Sequence, residues 1–252
     1  MYLITIGEIF LKGKNRNVFQ KRLLKNIKSA LNIDNSKIKD LRNRIMVLSD
    51  DCSNLKYVFG INSFFKVNEC SFDNINLTAL SFISDEKTFR ISARRLTKVY
   101  KPSQEIQEDV GEFILNNKNI KVDLHNPDIN IFIEIIGDKA YLYHGSVKGL
   151  GGLPVGISPH VYIDVRDEIK STVSGFLMMK RGCPLVLSKD ISLLKKFENG
   201  FYFKIRDKKD DDTIIKDELL NEIKSSNGFT LRPLVGYSED EVIKLYNKIK
   251  DL

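Results

Sequence analysis

The sequence predicts three successive mixed modules: an α+β module over residues 1–75, an α/β module over 76–158 and a small α/β layer over 159–252. Three observations carry this. Apolar residues recur at strand spacing and at helix spacing in alternating segments along the whole chain. The run Gly149-Leu150-Gly151-Gly152-Leu153-Pro154 breaks that alternation and reads as a linker. Beyond it, YIDVRDEIKSTVSGFLMMKRG (162–182) reads as a buried strand, a short turn and a helix.

Residues 1–9 form the first predicted strand, which runs into the turn Lys12-Gly13-Lys14-Asn15. Asn17 is placed to cap a helix to residue 31, because Phe19, Leu23, Ile27 and Leu31 recur at four-residue spacing. Its other face carries Lys21, Arg22, Lys25 and Lys28. A strand over 44–48, a short helix over 54–59 and an edge strand over 62–70 complete the first module. In the second, a strand over 88–93 precedes a helix from Ser103 with Ile106, Val110, Phe113 and Ile114 on one face. Strands over 129–136 and 140–147 flank Gly137-Asp138, a hairpin signal. The third module begins with a strand over 161–165 and a helix over 171–181, then an apolar run over 184–187. The charge-dense run 204–212 reads as a solvated loop. A helix over 213–225, a strand over 229–234 and a helix over 239–249 follow.

The 252 residues are ample for a core, and 42% hydrophobic with 29% charged is ordinary for a globular protein. No apolar run reaches the roughly 18 residues of a membrane span. The N-terminus lacks a basic lead and a small-residue cleavage site, so no signal peptide is expected. Cys52, Cys70 and Cys183 are far apart, which argues against a disulfide scaffold or zinc site and for a reducing cytoplasm. His125, His144 and His160 have no metal-ligand spacing, so no metal is expected. The net charge is +7, and residues 1–75 hold 13 Lys and Arg against 7 Asp and Glu, whereas the rest is near balance. A basic segment on a near-neutral body suggests a polyanionic partner, nucleic acid first.

Lys12, Lys14 and Arg16 share a turn before a helix N-terminus, where cations and free N–H groups together would grip phosphate. Arg94, Arg95, Lys98 and Lys101 follow the 88–93 strand and either contact RNA or pair with the acidic helix carrying Glu105, Glu108, Asp109 and Glu112. Tyr100 either stacks on a base or packs in the core. Lys148 sits before the glycines of 149–152, which either admit an RNA backbone or act as a hinge.

Several runs resemble the tRNA 4-thiouridine synthetase (tRNA sulfurtransferase) family. GEIFLKGKNRNVF is similar to its N-terminal ferredoxin-like domain. FRISARRLTKVYKPSQEIQEDVGEFI and VDLHNPDINIFIEI are similar to its RNA-binding THUMP domain, and GLGGLPVG to its bridge into the catalytic domain. The match covers about residues 1–182 and resumes at LRPLVGYSEDEV. The implied fold is an α+β ferredoxin-like domain, an α/β THUMP domain and a truncated α/β remnant of a PP-loop ATP pyrophosphatase. The implied partner is tRNA, and the family's activity is ATP-dependent uridine thiolation.

The family's phosphate loop reads Ser-Gly-Gly-Ile-Asp-Ser. Counting back from LMMKRG places Arg166-Asp167-Glu168-Ile169-Lys170-Ser171 there, and only Ile169 and Ser171 match. Polyphosphate reaches backbone N–H groups where no Cβ intervenes. Asp167 and Glu168 replace both glycines and add negative charge at close range. About 50 residues separate Gly182 from LRPLVG where the family has well over a hundred, and the family's cysteine-bearing downstream segment has no counterpart. The expectation is a degenerate ATP loop (Arg166, Asp167, Glu168, Lys170, Ser171), no catalytic residue, no cofactor, and a tRNA-binding protein that presents RNA to a separate catalytic subunit. The alternatives are an active sulfurtransferase with a minimal domain, and a non-catalytic scaffold or homodimer.

Overall fold

A computed structural model describes residues 1–7, 15–41, 43–223 and 230–252. Lys12 and Lys14 lie outside the described residues. The chain divides into two compact units. The first comprises Met1–Ile4, Lys39–Asp50 and Phe64–Val147, and the second Thr5–Ile38, Asp51–Ser63 and Lys148–Leu252. The strands β1 (Tyr2–Ile6), β2 (Ile38–Asp40) and β4 (Ile61–Lys66) each run from one stretch into the other.

In the first unit, β1 pairs antiparallel with β3 (Ile45–Val47), Leu3 opposite Met46. The main sheet has the order β5-β9-β8-β6-β7, from β5 (Asn68–Cys70), β6 (Thr88–Arg95), β7 (Lys121–Val122), β8 (Ile129–Ile136) and β9 (Lys139–His144). β6 runs parallel to β8 and β7, whereas β9 is antiparallel to β8 and β5. Helices α2 (Ile75–Leu80) and α3 (Ser103–Asn117) bury Ile75, Ala79, Ile106, Val110 and Ile114 in one core with Phe89, Ile91, Ile131, Ile133 and Ile135. The strand pattern explains this: alternate residues of β6 and β8 point to the helices. The expected strand–helix–strand–strand order is present, with β5 and β7 as added edges. The single edge strand expected over 62–70 is instead two strands, β4 and β5, parted at Val67.

The second unit contains α1 (Arg16–Leu31), which ends where Asn32 turns left-handed at φ 50° and donates its N–H to the carbonyls of Lys28 and Ser29. After β10 (Val147–Lys148) the chain builds a five-stranded sheet from β11 (Val161–Ile163), β12 (Leu185–Leu187), β13 (Lys204–Ile205), β14 (Ile214–Ile215) and β15 (Thr230–Leu231). Its order is β13-β12-β11-β14-β15 and every pairing is parallel. Helix α4 (Glu168–Lys180) follows β11, and α5 (Glu239–Lys250) opens on Ser238, whose side chain and Glu241 form a capping box. Val161, Ile163, Val173, Phe176, Met179, Leu185, Leu187, Leu194 and Phe197 form the core.

Two expectations fail here. Over its described residues, 213–223, the helix predicted for 213–225 is strand β14 and a short 3₁₀ turn, Leu220–Glu222; residues 224 and 225 lie outside the described residues. The "solvated loop" over 204–212 begins with edge strand β13. Both segments are too short for periodicity to show, and parallel pairing with β11 and β12 decides them.

Candidate nucleic-acid interface and phosphate-loop position

In the first unit, Arg94 and Lys98 are exposed and Arg95 is half-buried. Arg95 donates to the carbonyl of Tyr100 at 3.0 Å, which ties the strand end to the segment before α3. Lys101 pairs with Asp109 of the acidic helix at 2.6 Å, so the ion-pair reading holds for it. Tyr100 lies on Phe72, centroids 4.2 Å apart and 22° between planes, so one of its ring faces is already covered. Phe72, Tyr100, Lys101, Asp109 and Phe113 line a cleft of about 420 Å³.

In the second unit, Arg16 begins α1 and reaches Gln20 at 3.3 Å. Lys148 is exposed at the end of β10. Of the glycines that follow, Gly149 and Gly152 sit tightly against neighbouring backbone, whereas Gly151 has open space at its Cβ position. A Cβ on Gly149 would stand 2.4 Å from the carbonyl oxygen of Ile61, and one on Gly152 2.4 Å from that of Lys180. Those two are spent on close packing of the chain against itself.

The phosphate-loop position differs from expectation in its backbone. Helix α4 starts at Glu168, three residues earlier than predicted, so Glu168, Ile169, Lys170 and Ser171 are its first turn and Asp167 its N-cap. The Asp167 carboxylate accepts from the Lys170 N–H at 3.0 Å. The hydrogen bond that a ligand phosphate would take at a helix N-terminus is thus made by the chain itself. Ser171 donates its hydroxyl to Asp217 at 2.6 Å, Lys170 pairs with Glu222 at 2.5 Å, and Arg166 pairs with Asp164 at 2.7 Å. The Arg166, Lys170 and Ser171 side chains and the Lys170 N–H thus each have an acidic partner already.

This cluster lies at the point where the sheet changes direction. From β11 the chain goes outward to β12 and β13, then returns to β14 on the other side of β11. In open parallel sheets a ligand crevice forms beyond the strand ends at such a point. Here it is flanked by Asp164, Asp167, Glu168, Asp217 and Glu218. Burial raises the Asp217 carboxyl above its ordinary value, with the Ser171 bond pulling the other way. Sequence reasoning missed Asp217 and Glu222, which lie 46 and 52 residues from their partners within a segment misread as helix.

Cys52 and Cys183 are buried and Cys70 is half-buried; burial raises the thiols of Cys70 and Cys183, which disfavours the nucleophilic thiolate. Among the described residues no group of three or more His, Cys, Asp or Glu is placed to hold a metal ion, and no helix is long and apolar enough to cross a membrane.

Two family models match: the ThiI ferredoxin-like domain over residues 1–64 and the THUMP domain over 75–144. The chain is 41% identical over 185 residues to a "Probable tRNA sulfurtransferase" of Mycoplasmopsis agalactiae, covering 71% of this chain and 49% of the relative. A relative of the same name from Caldanaerobacter subterraneus is 38% identical over 192 residues, 71% of this chain and 50% of that one. The chain therefore spans about half the length of these relatives. Among solved structures, PH1313 from Pyrococcus horikoshii is 31% identical with a TM-score of 0.83, covering 98% of both chains. A 4-thiouridine synthetase, solved with RNA and bound ATP, is 29% identical with a TM-score of 0.63, covering 74% of this chain and 52% of that one. With both domain models matched in order and these relatives aligned, the chain belongs to the tRNA sulfurtransferase (4-thiouridine synthetase) family.

Proposed function

We propose that this chain is a tRNA-binding protein that does not itself adenylate tRNA. In this reading residues 1–75 and 76–158 engage RNA through Lys12, Lys14, Arg16, Arg94, Arg95, Lys98 and Lys148, and residues 159–252 are a PP-loop-like module without a working ATP site. Lys101 adds charge there but is shared with Asp109. Catalysis belongs to a separate subunit that receives the bound tRNA. The observation that carries the reading is the Asp167 carboxylate on the Lys170 N–H, with Ser171 held by Asp217. Negative side chains fill the donors that a triphosphate would need.

A second reading, an ATP-using sulfurtransferase, is favoured by the retained strand β11, helix α4 and direction change of the sheet. Titration calorimetry with ATP and Mg²⁺, with and without tRNA, separates the two when run beside a pyrophosphate-release assay. The proposal expects no saturable binding and no tRNA-dependent release. Micromolar ATP binding, or release by the purified chain, establishes the second reading instead.

A further inference from the structure

The parallel sheet of the second unit has two ends, and the phosphate-loop position occupies only the end after β11. The opposite end carries a different chemistry. Val161 is level with Leu185, and Val186 with Lys204. Carried back by one or two residues, this register sets His160, Pro184 and Tyr202 in one row across three strands, so that His160 and Tyr202 stand two strand spacings apart, roughly 10 Å. Strand alternation then places Tyr202, Lys204 and Arg206 toward the same side as His160.

Tyr202 is 79% exposed, although its neighbours Phe201 and Phe203 pack on the core with centroids 5.8 Å apart. The turn before it is held firmly. Glu198 accepts from the Phe203 N–H at 2.6 Å, and Asn199 donates to the Tyr57 carbonyl at 3.2 Å. Gly200, at φ 76°, lies so close to α1 that a Cβ would stand 2.7 Å from Asn26 Oδ1. A large aromatic ring is thus displayed to solvent on a rigid support, with no packing role of its own.

The surroundings are cationic. Lys204 and His160 are exposed. Arg22 of α1 donates Nε–H to the Val155 carbonyl at 2.8 Å and lies against Gly156, where a Cβ would overlap its guanidinium. Arg206 is taken by a two-pronged pair with Asp212 at 2.7 Å. Among the described residues neither Lys204 nor Arg22 has a carboxylate partner. The His160 imidazole is held below its ordinary value, first by burial and then by repulsion from Lys204, Arg206 and Arg22, with Asp212 alone opposing. Arg206 is thus offset by Asp212, whereas Lys204 and Arg22 carry their charge without a carboxylate partner among the described residues.

We propose that this corner binds an unpaired nucleotide of the bound RNA, the base stacked on Tyr202 and the flanking phosphates on Lys204 and Arg22. The inference rests on the tRNA-binding reading above. An exposed aromatic ring among cations is the arrangement by which proteins hold single-stranded nucleotides. A protein strand added to β13 is the weaker fit, since β13 offers only Lys204 and Ile205 as an edge.

The test uses the full chain and folded tRNA, with affinity measured over a range of salt for the native protein, Tyr202→Ala, Tyr202→Phe and Lys204→Ala. Both side chains replaced are surface groups, and melting curves verify that the fold is kept. Tyr202→Ala is expected to weaken binding about five-fold or more, while Tyr202→Phe stays near the native value. Lys204→Ala is expected to reduce the slope of log affinity against log salt by about 0.7. Ultraviolet crosslinking is expected to join RNA to Tyr202. Native binding with Tyr202→Ala and Lys204→Ala both unchanged, and no crosslink at Tyr202, overturns this site and leaves the tRNA-binding reading standing. A native protein that binds no tRNA overturns both.

Discussion

Arg44 and Glu134 are 7% and 3% exposed, and they meet in two hydrogen bonds of 2.8 and 2.6 Å. Tyr143 donates its hydroxyl to the same carboxylate at 3.3 Å while its ring stacks on Phe65, centroids 3.7 Å apart. Removing one member of a buried pair leaves an uncompensated charge, so Arg44→Met is expected to lose about 3–5 kcal/mol in urea unfolding. The double change Arg44→Met with Glu134→Leu is expected to recover much of that loss. Asp217 behaves differently because its partner is neutral. Its folded-state carboxyl lies above the ordinary 3.8. Folding therefore disfavours its ionised form: the stability tied to its proton is complete below 3.8 and is lost as pH rises through the folded value. Asp217→Asn keeps an acceptor for the Ser171 hydroxyl and cannot ionise. Unfolding curves are expected to coincide with the native protein near pH 3 and to show the variant more stable at pH 7.

Elements of this chain divide by how far their signal is local. The α1 and α3 helices were legible because apolar residues repeat over three turns or more, and the β8–β9 hairpin because Gly137 sits at φ 62°, where its turn demands glycine. Strands β13 and β14 were not legible: each has two residues, and only pairing with β12 or β11 makes them strands. The start of α4 was misplaced because the phosphate-loop comparison favoured a loop, whereas Asp167 is a good N-cap by local chemistry. The glycine run 149–152 breaks the element pattern between β10 and β11 where the sequence shows a break. Its geometry gives a graded expectation. Gly151, at φ 65° with open space around its missing Cβ, should lose about 1 kcal/mol on change to alanine from backbone strain alone. Gly152→Ala adds a clash with the Lys180 carbonyl to the same strain, whereas Gly149→Ala, without left-handed strain, clashes with the Ile61 carbonyl. Both are expected to lose about 2 kcal/mol or more in thermal unfolding. Equal losses at all three positions would show that the linker yields and that its contacts do not matter.

At the scale of the whole molecule, the distribution of charge matters more than its sum. The surplus of Lys and Arg lies in residues 1–75, while the crevice beside β11 and β14 is flanked by carboxylates. This distribution supports the proposed reading, in which RNA is held by its phosphates and triphosphate is kept out of the crevice. Phosphate-driven binding releases counterions, so log affinity for folded tRNA is expected to fall linearly with log salt. Outside that basic segment, Lys98 is the cleanest probe of the proposed RNA contacts, because it is exposed and among the described residues has no acidic partner. Arg95 also holds the Tyr100 carbonyl, so its replacement mixes a contact with a structural loss. Lys98→Ala is expected to weaken tRNA binding by about 1.5–3 kcal/mol if it makes a charge-assisted contact, with a shallower salt slope and an unchanged melting temperature. Arg95→Ala is expected to weaken binding and lower the melting temperature together. Lys101→Ala should do least, since Asp109 already offsets its charge. Binding measured at three salt concentrations for the three variants decides the assignment. If Lys101→Ala causes the largest loss, phosphate is read from the α3 side of the unit, beside the Tyr100 cleft, and the contact surface drawn from Arg95 and Lys98 is wrong.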